Sequence, residues 1–154
     1  MDKDSEKRGI RIAMGSDHAG FELKEELKKY LVGKGYFIMD FGAFSTESAD
    51  YADFGHRVAS EVEKGAFNFG LLLCGSGNGI NMTANKHKGI RSALCWISEI
   101  AKLARQHNDA NILTLPARFI DVEEAKACVD VFYTTPFEGG RHALRVKKIS
   151  EGCN

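Results

Sequence analysis

Residues 71–82 read LLLCGSGNGINM, an apolar run that stops on a thiol, Cys74, and continues through Gly75, Ser76, Gly77, Asn78 and Gly79. A cysteine at the end of an apolar strand has two readings. It can be a small buried hydrophobe, a role this side chain often fills. It can also be a base: beside a helix N-terminus the dipole favours the thiolate, which can take a proton from carbon. The glycines serve the second reading. They let the backbone turn tightly and approach a ligand, and a helix opening behind them leaves free N–H groups aimed at it. With the Ser76 hydroxyl, those N–H groups would hold an oxyanion, the arrangement needed for proton abstraction next to a carbonyl.

Familiar anion loops fail on single residues. A nucleotide phosphate loop ends Gly-Lys-Ser/Thr, and this loop has no such lysine. The dinucleotide fingerprint needs G-x-G-x-x-G; this loop reads G-x-G-x-G, and the next strand lacks a terminal acid to hold a ribose. A cysteine phosphatase loop would carry an arginine where Ile80 stands.

Three other places carry chemistry. GSDHAGF puts Asp17 and His18 where a helix begins, either as a cap and a solvated imidazole or as a pair reaching a bound sugar. RQHNDAN puts His107 and Asn108 where a helix runs out, which suits a histidine electrostatically and also a general acid and base. EGGRHALR spaces Arg141 and Arg145 four apart on one helix face, a solvated basic face or, with Arg118, a phosphate clamp of guanidinium forks. His56 and His87 lack ligand spacing of the H-E-x-x-H kind, so no metal site is expected.

These residues need a scaffold, and the pattern supplies one. Strands are predicted over 10–15, 36–41 and 69–74, then in SALCW and NILTL. Between them lie helical repeats: Ala19, Leu23, Leu27 and Leu31, then Tyr51, Phe54, Val58 and Val62, then a short helix near Asn78–Lys86, then Ile100, Leu103 and Ala104. Asp121-x-x-Glu124 reads as a capping box ahead of Ala125, Val129 and Phe132, and a last helix is predicted from about Glu138 to Ile149. Ser16 or Asp17 is read as the cap of the first helix. Continuous apolar strands alternating with helices imply a doubly wound, three-layer α/β/α fold with a five-stranded parallel sheet, Rossmann-like in layout. Ligands of such folds sit at the carboxyl ends of the strands, where Asp17, His18, Cys74–Gly79 and Arg118 fall.

Bulk properties exclude other classes. The 154 residues carry 21 basic and 21 acidic side chains without a long single-sign run, which argues against a nucleic-acid partner or an anionic membrane surface. No apolar run is long enough for a membrane span. MDKDSEKRG, residues 1–9, reads as a flexible leader ahead of a single domain, 10–154, and does not look like a secretory signal. The four cysteines are widely spaced with no C-x-x-C pair, so a reducing cytoplasm is the expected location.

In this order, GSDHAGF, the Asp50-Tyr51 pair, CGSGNGI, RQHNDAN and EGGRH resemble the ribose-5-phosphate isomerase B family, which includes hexose-6-phosphate isomerases, and the likeness runs from about Ile10 to Ile149. The resemblance implies a cofactor-free aldose–ketose isomerase acting on ribose 5-phosphate and ribulose 5-phosphate, in the pentose phosphate pathway. It implies that Cys74 is the base, that Ser76 and the amides of Gly75, Gly77 and Gly79 hold the enediolate, and that His107 opens the furanose ring with Asp17 assisting. Arg118, Arg141 and Arg145 resemble the phosphate clamp, and His18, Asn78 and Asn108 the substrate contacts. A homodimer with shared sites is also implied. One branch of the family uses a carboxylate where Ile80 stands, so this chain resembles the cysteine branch. Pro116 stands where many relatives carry glycine; it fixes φ and removes an N–H, so the Arg118 loop is expected to sit differently and to bear on sugar length. The alternatives are an isomerase of a six-carbon sugar phosphate such as allose or galactose 6-phosphate, or a sugar-phosphate sensor without turnover.

Overall fold

The computed structural model describes residues 9–153, so the leader lies outside the described residues except for Gly9. Five strands, β1 (Arg11–Ser16), β2 (Phe37–Asp40), β3 (Phe69–Cys74), β4 (Ser92–Leu94) and β5 (Ile112–Pro116), form one sheet in the order β2-β1-β3-β5-β4. Every pairing is parallel. The helices are α1 (Phe21–Gly33), α2 (Tyr51–Glu63), α3 (Asn78–Ala84), α4 (Ser98–Asn108), α5 (Val122–Thr134) and α6 (Arg141–Glu151).

Alternation along the strands divides the core. Side chains at successive strand positions point to opposite faces. Leu71 and Leu73 therefore join Leu27, Leu31, Val129 and Phe132 on the α1/α5 side, while Leu72 and Cys74 join Val58, Val62 and Ile80 on the α2/α3 side. All three leucines of β3 are wholly buried, each contributing about 1.5–3 kcal/mol of transfer free energy. The same alternation turns Cys74 toward the helix that its own loop begins.

The chain leaves β1 for β2 on one side and later for β3 on the other. The order reverses between β1 and β3, which opens a crevice at their carboxyl ends. Asp17 follows β1 and Cys74 ends β3, so both stand at that reversal, and the Asp17 N–H donates to Leu73 O at 3.3 Å.

The elements differ from the sequence pattern in three places. Helix α1 begins at Phe21 rather than directly behind Gly15; the Asp17 carboxylate accepts from the Gly20 N–H at 3.1 Å and so closes a turn ahead of the helix instead of capping it. Helix α4 buries Ala101, Ala104 and Arg105, which leaves Leu103 exposed, because the Arg105 guanidinium reaches inward to donate to Ala110 O at 2.6 Å and to the Asp109 carboxylate at 2.9 Å. Lys24, which lies off the apolar repeat of α1, is fully buried, paired with the Asp40 carboxylate and flanked by Phe21 and Phe44. The capping box of α5 forms on its N-cap side, Asp121 accepting from the Glu124 N–H at 2.8 Å.

Candidate active site

Cys74 is 4% exposed at the end of β3. Gly77 follows with φ +78°, a left-handed conformation that an L side chain resists, and it is the N-cap of α3. This turn brings the amides of Ile80, Gly77 and Gly79 onto the Cys74 sulfur. The Gly77 and Gly79 amides, read from the sequence as part of an oxyanion hole, also favour the Cys74 thiolate. The Asn78 N–H is also engaged, donating to Ser76 Oγ at 3.3 Å, so the exposed Ser76 side chain closes the turn.

Burial raises the Cys74 pKa; the amide of Ile80 opposes this, the Asp17 carboxylate adds to it, and the amides of Gly77 and Gly79 oppose it again. The net shift is upward. A thiol lowered by the helix N-terminus was expected, and the structure reverses that expectation because desolvation and a neighbouring anion outweigh the amides. Cys95 and Cys128 are pushed further, to about 12, by burial and by Cys128 and Glu124 respectively. These two are inert structural thiols.

The rest of the crevice is built around the loop. Backbone bonds dock the chain after β5 onto it: Ala117 N–H donates to Cys74 O at 2.9 Å and Arg118 N–H to Gly75 O at 3.0 Å. Pro116, expected to disturb this loop, is the last residue of β5 and pairs with Cys74, leaving the following N–H groups to make the tie. The Arg118 guanidinium covers Gly75, where an added Cβ would lie 3.2 Å from Nη1. His18 Nδ1 accepts from the Ala49 N–H at 3.1 Å, which places the proton of the neutral ring on Nε2. Tyr51, absent from the sequence reading of the site, lies against Gly79, where a Cβ would come within 2.4 Å of its ring. Its signal was its place in the Asp50-Tyr51 motif. The glycines thus make room for neighbours as well as exposing N–H groups.

The remaining predicted residues form a second group. The His107 ring stacks on His142, centroids 4.2 Å apart and planes 13° apart. Glu138 Oε2 lies 3.8 Å from His142 Nε2, and Arg141 and Arg145 lie near enough to act on the His142 charge. Asn108 ends α4 one residue on and is exposed. Ligand atoms of His107, Glu138 and His142 all lie within 4.8 Å of one another. Nearly parallel rings have lone pairs running side by side, so both could bind one cation only after tilting. His56 and His87, distant in sequence, share a ring-nitrogen hydrogen bond of 2.8 Å.

Among the described residues, no hydrogen bond, ion pair or ring contact joins the Cys74 group to the His107 group. Among the described residues, none of Arg118, Arg141 and Arg145 forms an ion pair with a carboxylate.

The parallel sheet, the thiol at its reversal and the surface guanidinium groups describe a sugar-phosphate-type site on a doubly wound fold, and the comparisons give it a family. The Ribose/Galactose Isomerase model matches residues 12–149, and the chain belongs to that family. It is 43% identical over 140 residues to ribose-5-phosphate isomerase B of Escherichia coli K12, spanning 91% of this chain and 94% of that protein. It is 42% identical over 144 residues to the protein of that name from Mycolicibacterium paratuberculosis, spanning 92% of this chain and 91% of the relative. Among solved structures, a ribose 5-phosphate isomerase from Thermotoga maritima superposes with TM-score 0.92 at 50% identity, covering 94% of this chain and 99% of that one. Ribose-5-phosphate isomerase B from Mycoplasma genitalium, solved with bound ribulose-5-phosphate, superposes with TM-score 0.90 at 39% identity, covering 94% and 97%.

Proposed function

We propose that the chain is an aldose–ketose isomerase interconverting ribose 5-phosphate and ribulose 5-phosphate, as its relatives' names describe for them. The observation that carries this reading is the Cys74 thiol at the sheet's reversal, with three backbone amides on its sulfur and Asp17 beside it. In the forward direction the furanose opens first: the C1–O4 bond breaks as O1 loses a proton and O4 gains one. His107 performs that transfer. The Cys74 thiolate then removes the C2 proton and returns it to C1, while the O2 proton passes to O1 through the enediol. Asp17 assists the proton traffic at the sugar oxygens. Ser76 and the Gly75 amide contact the enediolate, and His18, Asn78 and Asn108 bind the sugar hydroxyls. Arg118, Arg141 and Arg145, without a carboxylate partner among the described residues, clamp the phosphate. No step needs a metal or cofactor.

Among the described residues, no hydrogen bond, ion pair or ring contact links the two groups of site residues. We read the complete site as the Cys74 group of one subunit and the His107 group of a second copy, in a homodimer. Four unpaired cysteines support a reducing cytoplasm as its location.

The test is direct. Purified protein with ribose 5-phosphate, without added metal or nucleotide, should produce ribulose 5-phosphate rapidly. Failure there together with turnover of a six-carbon aldose 6-phosphate would move the substrate, and binding without turnover of either would leave a sugar-phosphate sensor.

A further inference from the structure

His142 is the one histidine buried as deeply as the core, 8% exposed at the second position of α6. Its surroundings are arranged around His107. The two rings lie flat on one another. The loop before α6 is tied to α4 one residue ahead of His107, where the Glu138 N–H donates to Gln106 O at 3.1 Å. The His142 N–H donates to Gly139 O at 3.0 Å, which fixes the start of the helix that carries the ring. Glu138 approaches the far nitrogen of His142. Two elements are thus fastened together at the point where the two imidazoles meet.

We propose that His142 is a positioning residue for the isomerisation, its buried ring serving as the flat bed that holds the His107 imidazole in the orientation needed to open the furanose. The inference rests on the function proposed above. An imidazole at the end of a helix has free rotation about two side-chain torsions, and proton transfer to a ring oxygen tolerates little angular error. A parallel neighbour at stacking distance removes the rotation about χ2. The stack also requires that the two rings not both be cationic. Burial, the charge of His107 and the guanidinium groups of Arg141 and Arg145 hold His142 below its ordinary pKa, with Glu138 opposing, which favours the neutral form of the supporting ring.

The experiment separates ring opening from proton transfer. Ribulose 5-phosphate is acyclic, so exchange of its C1 proton with solvent deuterium needs Cys74 but no furanose opening. For His142→Ala, turnover of ribose 5-phosphate should fall about 10- to 100-fold, the effect of a misplaced reacting group. Deuterium exchange into ribulose 5-phosphate should stay within about twofold of wild type on the same argument. His142→Phe, which keeps a flat ring and discards the nitrogens, should recover most of the lost turnover. Equal loss of both rates in a folded His142→Ala protein would make the residue merely structural and overturn the proposal. So would unchanged turnover, or a Phe variant no better than the Ala variant. His107→Asn is the control: if it lacks the selective ring-opening defect, the assignment of His107 fails; if it has the defect and His142→Ala does not, only the present inference fails.

Discussion

The Asp17 carboxylate acts on the Cys74 thiol across the gap between β1 and β3 and holds its ionisation upward. Asp17→Asn keeps the acceptor for the Gly20 N–H and removes only the charge. The thiol pKa should therefore fall, and alkylation by iodoacetamide below that pKa should speed up. Rates followed against pH in a Cys153→Ser background, which silences the exposed thiol, would report it. An unmoved or higher midpoint would refute the electrostatic coupling.

Cys74→Ala should remove the base and leave the fold. The loss in kcat should be of the order of 10²- to 10⁴-fold, the range for a positioned proton-transfer group. Circular dichroism and thermal unfolding should stay near wild type, since the site is one small side chain. In the native protein kcat/KM should climb with pH through the Cys74 titration, because the proposed mechanism uses the thiolate and burial places that titration above the ordinary thiol value. A flat profile through the alkaline range would count against the thiolate.

Gly77 and Gly79 should respond differently to alanine. At Gly77 the backbone is left-handed and a Cβ would meet Leu94 Cδ1 at 2.4 Å. Gly77→Ala should lose about 1–2 kcal/mol from the backbone alone. At Gly79 the obstacle is the half-exposed Tyr51 ring, which can swing into solvent. Gly79→Ala should leave stability nearly intact and raise KM by displacing Tyr51 from the crevice wall. Urea unfolding paired with steady-state kinetics distinguishes the two; a reversed ranking would disprove the steric assignment.

Lys24 and Asp40 should make stability sensitive to acid. Burial alone would raise the Asp40 carboxyl; donors from Lys24, from Lys28 at 2.8 Å and from the Gly42 N–H at 2.9 Å outweigh it and leave the group below its usual range. A carboxylate depressed in the folded state contributes stability that is complete above its unfolded pKa, ~3.9, and is lost as pH falls through the folded value. Asp40→Asn should cost about 3–5 kcal/mol at neutral pH by leaving the buried Lys24 ammonium with Glu25 as its one remaining carboxylate among the described residues, and its stability should depend less on pH below ~4. An unchanged acid limb in chemical unfolding would exclude Asp40 as its source.

How far the residues announced this structure depends on the kind of information. The five strands and their parallel pairing were legible because β3 and β5 are unbroken apolar runs, and so was the place of Cys74 at the carboxyl end of β3. Helix faces were less so: Leu103 was expected inward, yet Arg105 takes that place because its guanidinium finds Ala110 O and Asp109. Lys24 was missed for the same reason, since its partner Asp40 lies on another element and local periodicity carries no record of it. The direction of the Cys74 shift depended on desolvation and on Asp17, both tertiary facts. The His107–His142 stack joins two motifs, RQHNDAN and EGGRH, that were read separately, and nothing in either one names the other.

The proposed sharing of the site between two copies of the chain has a genetic consequence. A chain lacking the thiol and a chain lacking the imidazole would each be inactive alone. Mixed in one cell and paired at random, about half of the dimers would be heterodimers, each with one intact centre and one doubly damaged centre. Two null alleles would then complement one another to about a quarter of normal activity, whereas either allele over itself would not.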